Sequence, residues 1–260
     1  MLVAGVFNQS TSRIPLIRPS GRSAHTADLV SARMTDRDDY SGDFDSSFDY
    51  EDLSKTALVR LVREYALTVH LLDRSMCAAI GMRYGAEAVT ELAIQEWSGA
   101  SPVYAERLRQ IMAIEGDGIA AIFKVFQLDP GFPHHYMDVH FEMVDEQHGF
   151  FELAHCGALM DVEPFGDSMV TNMCHHIEDG TFDATAQAIN PKAHVRAVHR
   201  PPRVPGNRTP HCRWEVVIDD ETETLPEADI TKITRMTTAA TFAFPDMKDG
   251  TPHIPASADA

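Results

Sequence analysis

The sequence predicts an α+β fold: an N-terminal helical layer packed on a small antiparallel sheet, with one inserted helix. Three observations lead there. Residues 53–128 carry apolar side chains at three- and four-residue steps, the helical period. After Gly131 the period drops to two, as in strands with one buried face. A second helical stretch, 167–188, then interrupts the strands, so helices and strands are segregated rather than alternating.

Residues 1–50 read differently from the rest. Arg is nearly the only charge up to Arg33, among Ser, Pro and Thr, and "TDRDDYSGDFDSSFDYED" is then densely acidic. Such composition buries too little apolar area to offset chain entropy. Three readings stand: disorder, a true start at Met34, or an arm that docks on a partner subunit through Phe44, Phe48 and Tyr50. The domain proper is expected over 51–220, with a C-terminal extension at 221–260.

In the first helix Leu58, Leu61, Tyr65, Val69 and Leu72 fall on one face, and Cys77 packs as a small apolar residue. Gly81 and Gly85 bracket a turn. "AEAVTELAIQEW" is a second helix closed by Gly99. Ser101-Pro102 reads as an N-cap and first-turn proline opening a third. Asp129-Pro130-Gly131 stops the helical half.

"YMDVHFEMVD" and "GFFELAHC", joined by "EQH", predict a hairpin. Pairing Val144 with Phe150 sets Glu142 opposite Glu152, and two facing carboxylates need an arginine, a proton, a cation or water between them. The same register puts Cys156 on that polar face, opposite Asp138. "HVRAVHR" and "HCRWEVVID" are two further strands. In the last, Cys212, Trp214, Val216 and Ile218 form an apolar stripe. A short helix near 226–236 and a loose tail complete the chain.

The net charge of −17 offers no basic stripe for nucleic acid or for an anionic membrane surface. No run of apolar residues is long enough to span a bilayer. "MLVAGVF" is too short, and lacks the basic flank, of a secretory signal. The four cysteines, Cys77, Cys156, Cys174 and Cys212, are too few for a disulfide scaffold and predict a reducing, cytoplasmic setting.

The chemistry is expected in "ELAHCGALMDVEPFGDSMVTNMCHHIEDG", which concentrates Cys156, Cys174, His175 and His176. Cys156, Cys174, His176 and Cys212 would make a tetrahedral Cys3His set for zinc or iron, at spacings that match no standard loop. Alternatively Cys156 or Cys174 is a nucleophile with His175 or His176 as acid/base, Glu142, Glu152 or Arg196 orienting the substrate, and no cofactor. Adjacent helical residues point about 100° apart, so such a dyad needs two elements, whereas Glu178 shares a helical face with Cys174. The third reading has Cys174 simply packing the inserted helix. GxSxG, GxGxxG and a phosphate loop are absent.

Residues 50–220 resemble the L-2-amino-thiazoline-4-carboxylic acid hydrolase-like family. The resemblance rests on Asp73 in the first long helix, then Gly85, Ala86, Ala88 and Trp97. It continues with a Cys closing a strand in "FFELAHC", Cys174 in the following helix, Asn190-Pro191 before a strand, and a third Cys opening "HCRWEV". His175-His176 and the long "RPPRVPGNRTPH" loop depart from the pattern. The resemblance implies hydrolysis of a C–N or C–S bond in a small heterocycle at a Cys/His site. The rival readings are a sensor-like domain binding a small molecule or metal without turnover, and an accessory subunit whose acidic arm docks on a larger enzyme or forms a homo-oligomer.

Overall fold

The computed structural model describes residues 36–221, 224 and 226–256. The expectations for residues 1–35, an arm or a start at Met34, lie outside the described residues. The fold is α+β. In chain order the helices of the first half are α1 (Lys55–Tyr84), α2 (Ala86–Ile111) and α3 (Ile119–Leu128). The hairpin β1 (Met137–Met143) and β2 (His148–Cys156) follows, then α4 (Gly157–Val162), α5 (Asp167–Thr171) and α6 (Glu178–Gln187). Strands β3 (Ala193–His199) and β4 (Cys212–Ile218) complete the sheet, and α7 (Asp229–Arg235) and α8 (Thr238–Thr241) close the chain. The sheet order is β1-β2-β4-β3, antiparallel throughout.

α1 starts where the Ser54 hydroxyl accepts the Ala57 N–H, and it stops at Gly85, whose φ of +89° favours glycine. α2 does not restart at Ser101-Pro102 as expected; it runs through the proline. Pro102 has no N–H for the carbonyl of Ser98, four residues back. Thr231 Oγ1, from α7, donates to that carbonyl at 2.9 Å. Gly99 allows the approach, since a Cβ there would sit 3.0 Å from Ile230 Cγ1. The helix survives its proline because a segment distant in the chain repairs the defect.

The apolar stripe of α1 is largely open. Tyr65 and Leu72 are exposed, and the buried positions are Ala57, His70 and Asp73. The helix is turned so that a polar face looks inward. Residues 36–52 are not a free arm: Arg37 N–H donates to Asp52 O, and Tyr50 and Tyr65 join hydroxyls at 2.9 Å. The C-terminal tail is also held, by Arg107 on the carbonyls of Ala240 and Phe242 and by Lys248 on Asp52.

One face of the sheet packs against α3 and α6. Its core is aromatic: Phe151 stacks on Trp214 at 6.3 Å, and Phe182 meets Trp214 edge-on at 4.8 Å. Burying Phe151 alone contributes about 2–3 kcal/mol. The stripe Cys212, Trp214, Val216, Ile218 is buried as expected.

The hairpin register differs from expectation by two residues. Glu142 faces Phe150, and His140 faces Glu152. Near its end Val139 pairs with Leu153 but Asp138 with His155, so β2 carries an extra residue there. That bulge resets the alternation. His155 turns outward, and Cys156 turns into the core opposite Met137 instead of joining the polar face opposite Asp138.

Candidate functional site

A cavity of about 120 Å³ is lined by residues of α1, α2, α3, α6 and the inner face of the sheet. An engineered apolar cavity of roughly 150 Å³ holds one benzene, so this space suits a single small ring. α1 contributes His70, Asp73, Arg74 and Cys77, spaced to share one helical face. α2 contributes Trp97, Ser101 and Tyr104 on the same principle. Phe126, Phe132 and Phe182 supply apolar walls. α6 adds Glu178, directly after a π-helical turn, Asn172–Ile177, that joins it to α5.

Most polar groups in the wall are satisfied by the protein. Asp73 accepts from Arg74, from Trp97 Nε1 at 3.4 Å and from the Cys77 thiol at 3.7 Å. Arg74 also donates to Asp161 at 3.0 Å, and the Tyr136 hydroxyl donates to the same carboxylate at 2.6 Å. Asp129 accepts the Gly131 N–H at 2.6 Å, and burial pushes its carboxyl up to about 6.

Two buried atoms of the wall and one carboxyl on a half-buried residue lack a hydrogen-bond partner. His70 Nε2 lies 3.2 Å from the Gly131 carbonyl, which can only accept, so Nε2 carries the proton. Burial, and then Arg74, lower the ring's pKa, so it is neutral near pH 7 and Nδ1 is a bare acceptor without a partner. Ser101 Oγ, on a residue only 1 % exposed, has no partner either. The Glu178 carboxyl accepts no hydrogen bond from the described residues, and desolvation pushes it up to about 8 against the pull of Arg200. Arg200 itself is taken by Asp179 and by the Cys174 carbonyl at 3.3 Å.

Of the thiols expected to act, Cys156 and Cys212 line this cavity, and Cys174 is buried outside its lining. Burial, then Glu178, push Cys156 up to about 12 and Cys174 further still, and Cys212 rises for the same two reasons. A nucleophilic or metal-bound cysteine needs the opposite shift. Cys156 instead supports the fold, because its sulfur accepts the Leu159 N–H at 3.3 Å and caps α4. His175 and His176 do not form the expected dyad. His175 Nε2 reaches the Pro201 carbonyl at 2.7 Å, and His176 is exposed. The imidazole beside Cys156 is His211, whose Nδ1 accepts the Cys156 N–H at 3.1 Å. The set Cys156, Cys174, His176, Cys212 is not assembled: among the described residues no three His, Cys, Asp or Glu side chains are placed to hold a metal ion.

The expected substrate-orienting residues are elsewhere. Glu142 and Glu152 sit on the outer face of the sheet, both paired with Arg213, and Arg196 is exposed on β3 across from Glu215. The cavity residues that sequence reasoning missed, His70 and Ser101, carry a legible signal. Polar residues at 70, 73, 74 and 77 and Trp97, Ser101 and Tyr104 recur at helical steps on faces that a soluble helix would otherwise turn to water.

No family model and no curated protein matches the chain. Among solved structures the chain is similar to the phenol-responsive sensory domain of the transcription activator PoxR, crystallised with phenol. The likeness is 13% in identity over 62% of this chain and 76% of that one, with a TM-score of 0.37. A likeness this slight leaves the ligand to be read from the cavity itself. No helix among the described residues is long and apolar enough to cross a membrane.

Proposed function

We propose that the domain binds a small single-ring molecule carrying a hydrogen-bond donor, in the cavity between the helical layer and the sheet, without turning it over. The observation that carries this reading is the pair of unpartnered polar atoms in the wall, His70 Nδ1 and Ser101 Oγ. Leaving such groups buried and unpaired costs about 1–3 kcal/mol each, a cost that a bound hydroxyl or amine removes. The aromatic wall supplies the remaining affinity through apolar contact. Hydrolysis by a cysteine is supported less well, because every thiol near the cavity is held in its protonated form by burial.

Benzyl alcohol and toluene differ by one hydroxyl and test this directly. Titration followed by fluorescence, with Trp97 in the wall as the reporter, should show benzyl alcohol binding about tenfold tighter than toluene. His70→Phe should erase that preference while the chain keeps its circular dichroism. Equal affinity for the two compounds in the unmutated chain, or no binding of either, would end the reading.

A further inference from the structure

Building on that binding-domain reading, we propose that the natural ligand carries a basic nitrogen, seated as an ammonium against the Glu178 carboxylate. The charges lining the cavity lead to it. The acids are Asp73, Asp129 and Glu178, and the one guanidinium among the lining residues is Arg74. Arg74 is shared between Asp73 and Asp161, and Asp129 is met by the Gly131 N–H. Glu178 is the acid left without a partner among the described residues. A carboxylate ligand would meet no free cation in this wall and would oppose ionisation of Glu178. A neutral alcohol would satisfy His70 or Ser101 and leave Glu178 as it was. An ammonium brings three donors and the missing charge. The chain's net charge of −17 also raises the local concentration of cations and lowers that of anions.

The groups acting on Glu178 decide what happens to its proton. Arg200 and Arg74 favour the ionised carboxylate, while Asp179 disfavours it, and desolvation outweighs them all. The thiols of Cys156, Cys174 and Cys212 are close enough to be raised by Glu178, and they stay neutral. In the empty cavity near pH 7 the carboxyl therefore holds its proton. When R–NH3+ enters, the carboxyl ionises to pair with it and its proton passes to the buffer. One positive charge enters and one leaves, so the cavity's charge balance is kept.

Benzylamine, benzyl alcohol and benzoate share a ring and a carbon count, and calorimetric titration of the full chain can rank them. Near neutral pH benzylamine should bind about tenfold or more tighter than benzyl alcohol, and benzoate weakest. Titration in two buffers with different heats of ionisation should show about one proton released per benzylamine bound and none per benzyl alcohol. Glu178→Gln should bring the amine-to-alcohol ratio close to one and abolish the proton release. The buffer comparison needs no variant, so a poorly folding Glu178→Gln does not block the test. Benzyl alcohol binding as well as benzylamine, or benzylamine binding without proton release, overturns the amine while leaving the binding cavity in place. Failure of both compounds to bind overturns the cavity reading as well.

Discussion

The two faces of the sheet treat the same chemical group in opposite ways. On the outer face Arg213 reaches Glu142 at 2.5 Å and Glu152 at 2.7 Å, and its guanidinium lies 4.5 Å over the ring of Phe150. His148 approaches Glu215 there at 2.9 Å. On the inner face Phe151, Leu153, Trp214 and Val216 are dry, and the acids beyond them, Asp129 and Glu178, have no cation in contact. An outer carboxylate is balanced by a neighbouring strand and by water, so it is part of the architecture. On the inner side Asp73 is paired with Arg74 and Asp129 accepts the Gly131 N–H, whereas Glu178 has no hydrogen-bond donor among the described residues and desolvation holds its proton in place. Acids near the cysteines looked like one functional cluster along the chain, and the sheet separates them by a layer of aromatic rings.

The contrast is broken most forcefully by emptying the inner side. Trp214→Ala removes a fully buried ring that packs on both Phe151 and Phe182, and should cost about 3–5 kcal/mol in urea unfolding. Phe150→Ala, one residue away from Phe151 but on the outer face, should cost no more than about 1 kcal/mol. Comparable losses from the two would mean that the outer face is covered by something that shields it from water.

The next effect is a pH dependence owned by the inner acids. Glu178 is raised from 4.5 to about 8, and Asp129 from 3.8 to about 6. Below 4.5 the folded and unfolded chains both hold the Glu178 proton, so it has no effect on stability. As pH rises towards 8 the unfolded chain releases that proton while the folded one keeps it, so stability falls across this window and the full penalty stands above it. Asp129 acts with the same sign between 3.8 and 6. The combined loss should be of the order of a few kcal/mol in urea unfolding at stepped pH. Glu178→Gln should flatten the upper part of the curve, since an amide does not titrate. A variant that declines in parallel with the parent chain above about pH 6 would show that Glu178 is already ionised in the fold.

Much of the architecture was legible in the sequence because it depends on period. The shift from helical to alternating spacing placed both hairpin strands, and the stripe from Cys212 to Ile218 lies buried in the sheet. What period cannot carry is phase across an irregularity. The extra residue between Leu153 and His155 turned Cys156 from the predicted outer face to the core, and nothing local in "ELAHC" announces it. Ser101-Pro102 has the local pattern of a helix start, and the repair by Thr231 that carries α2 through it lies over a hundred residues away in sequence. The cavity lies between the helical layer and the sheet and takes in Cys156 and Cys212, whereas His175 and His176, next to Cys174 in the chain, are not among its lining residues, because it is assembled from faces of α1, α2, α3, α6 and the sheet. Helical geometry, rather than residue chemistry, is what brings Glu178 close enough to act on Cys174.

The smallest expected effect tests whether the outer face is as forgiving as its exposure implies. Arg213→Met removes the guanidinium between Glu142 and Glu152 but keeps an unbranched side chain over Phe150. Arg213 and Glu152 are half-buried and Glu142 is exposed, so water reaches the carboxylates and the pairs themselves contribute little. What remains is repulsion between two neighbouring carboxylates that have lost their common counter-ion. The loss should stay within about 1 kcal/mol at low ionic strength and shrink towards zero as salt screens the carboxylates over about 10 Å. A loss that persists in high salt would place Arg213 in a packing role through Phe150 rather than an ionic one. Benzyl alcohol binding should be the same in this variant as in the parent chain, because the aromatic layer of Phe151 and Trp214 stands between Arg213 and the cavity.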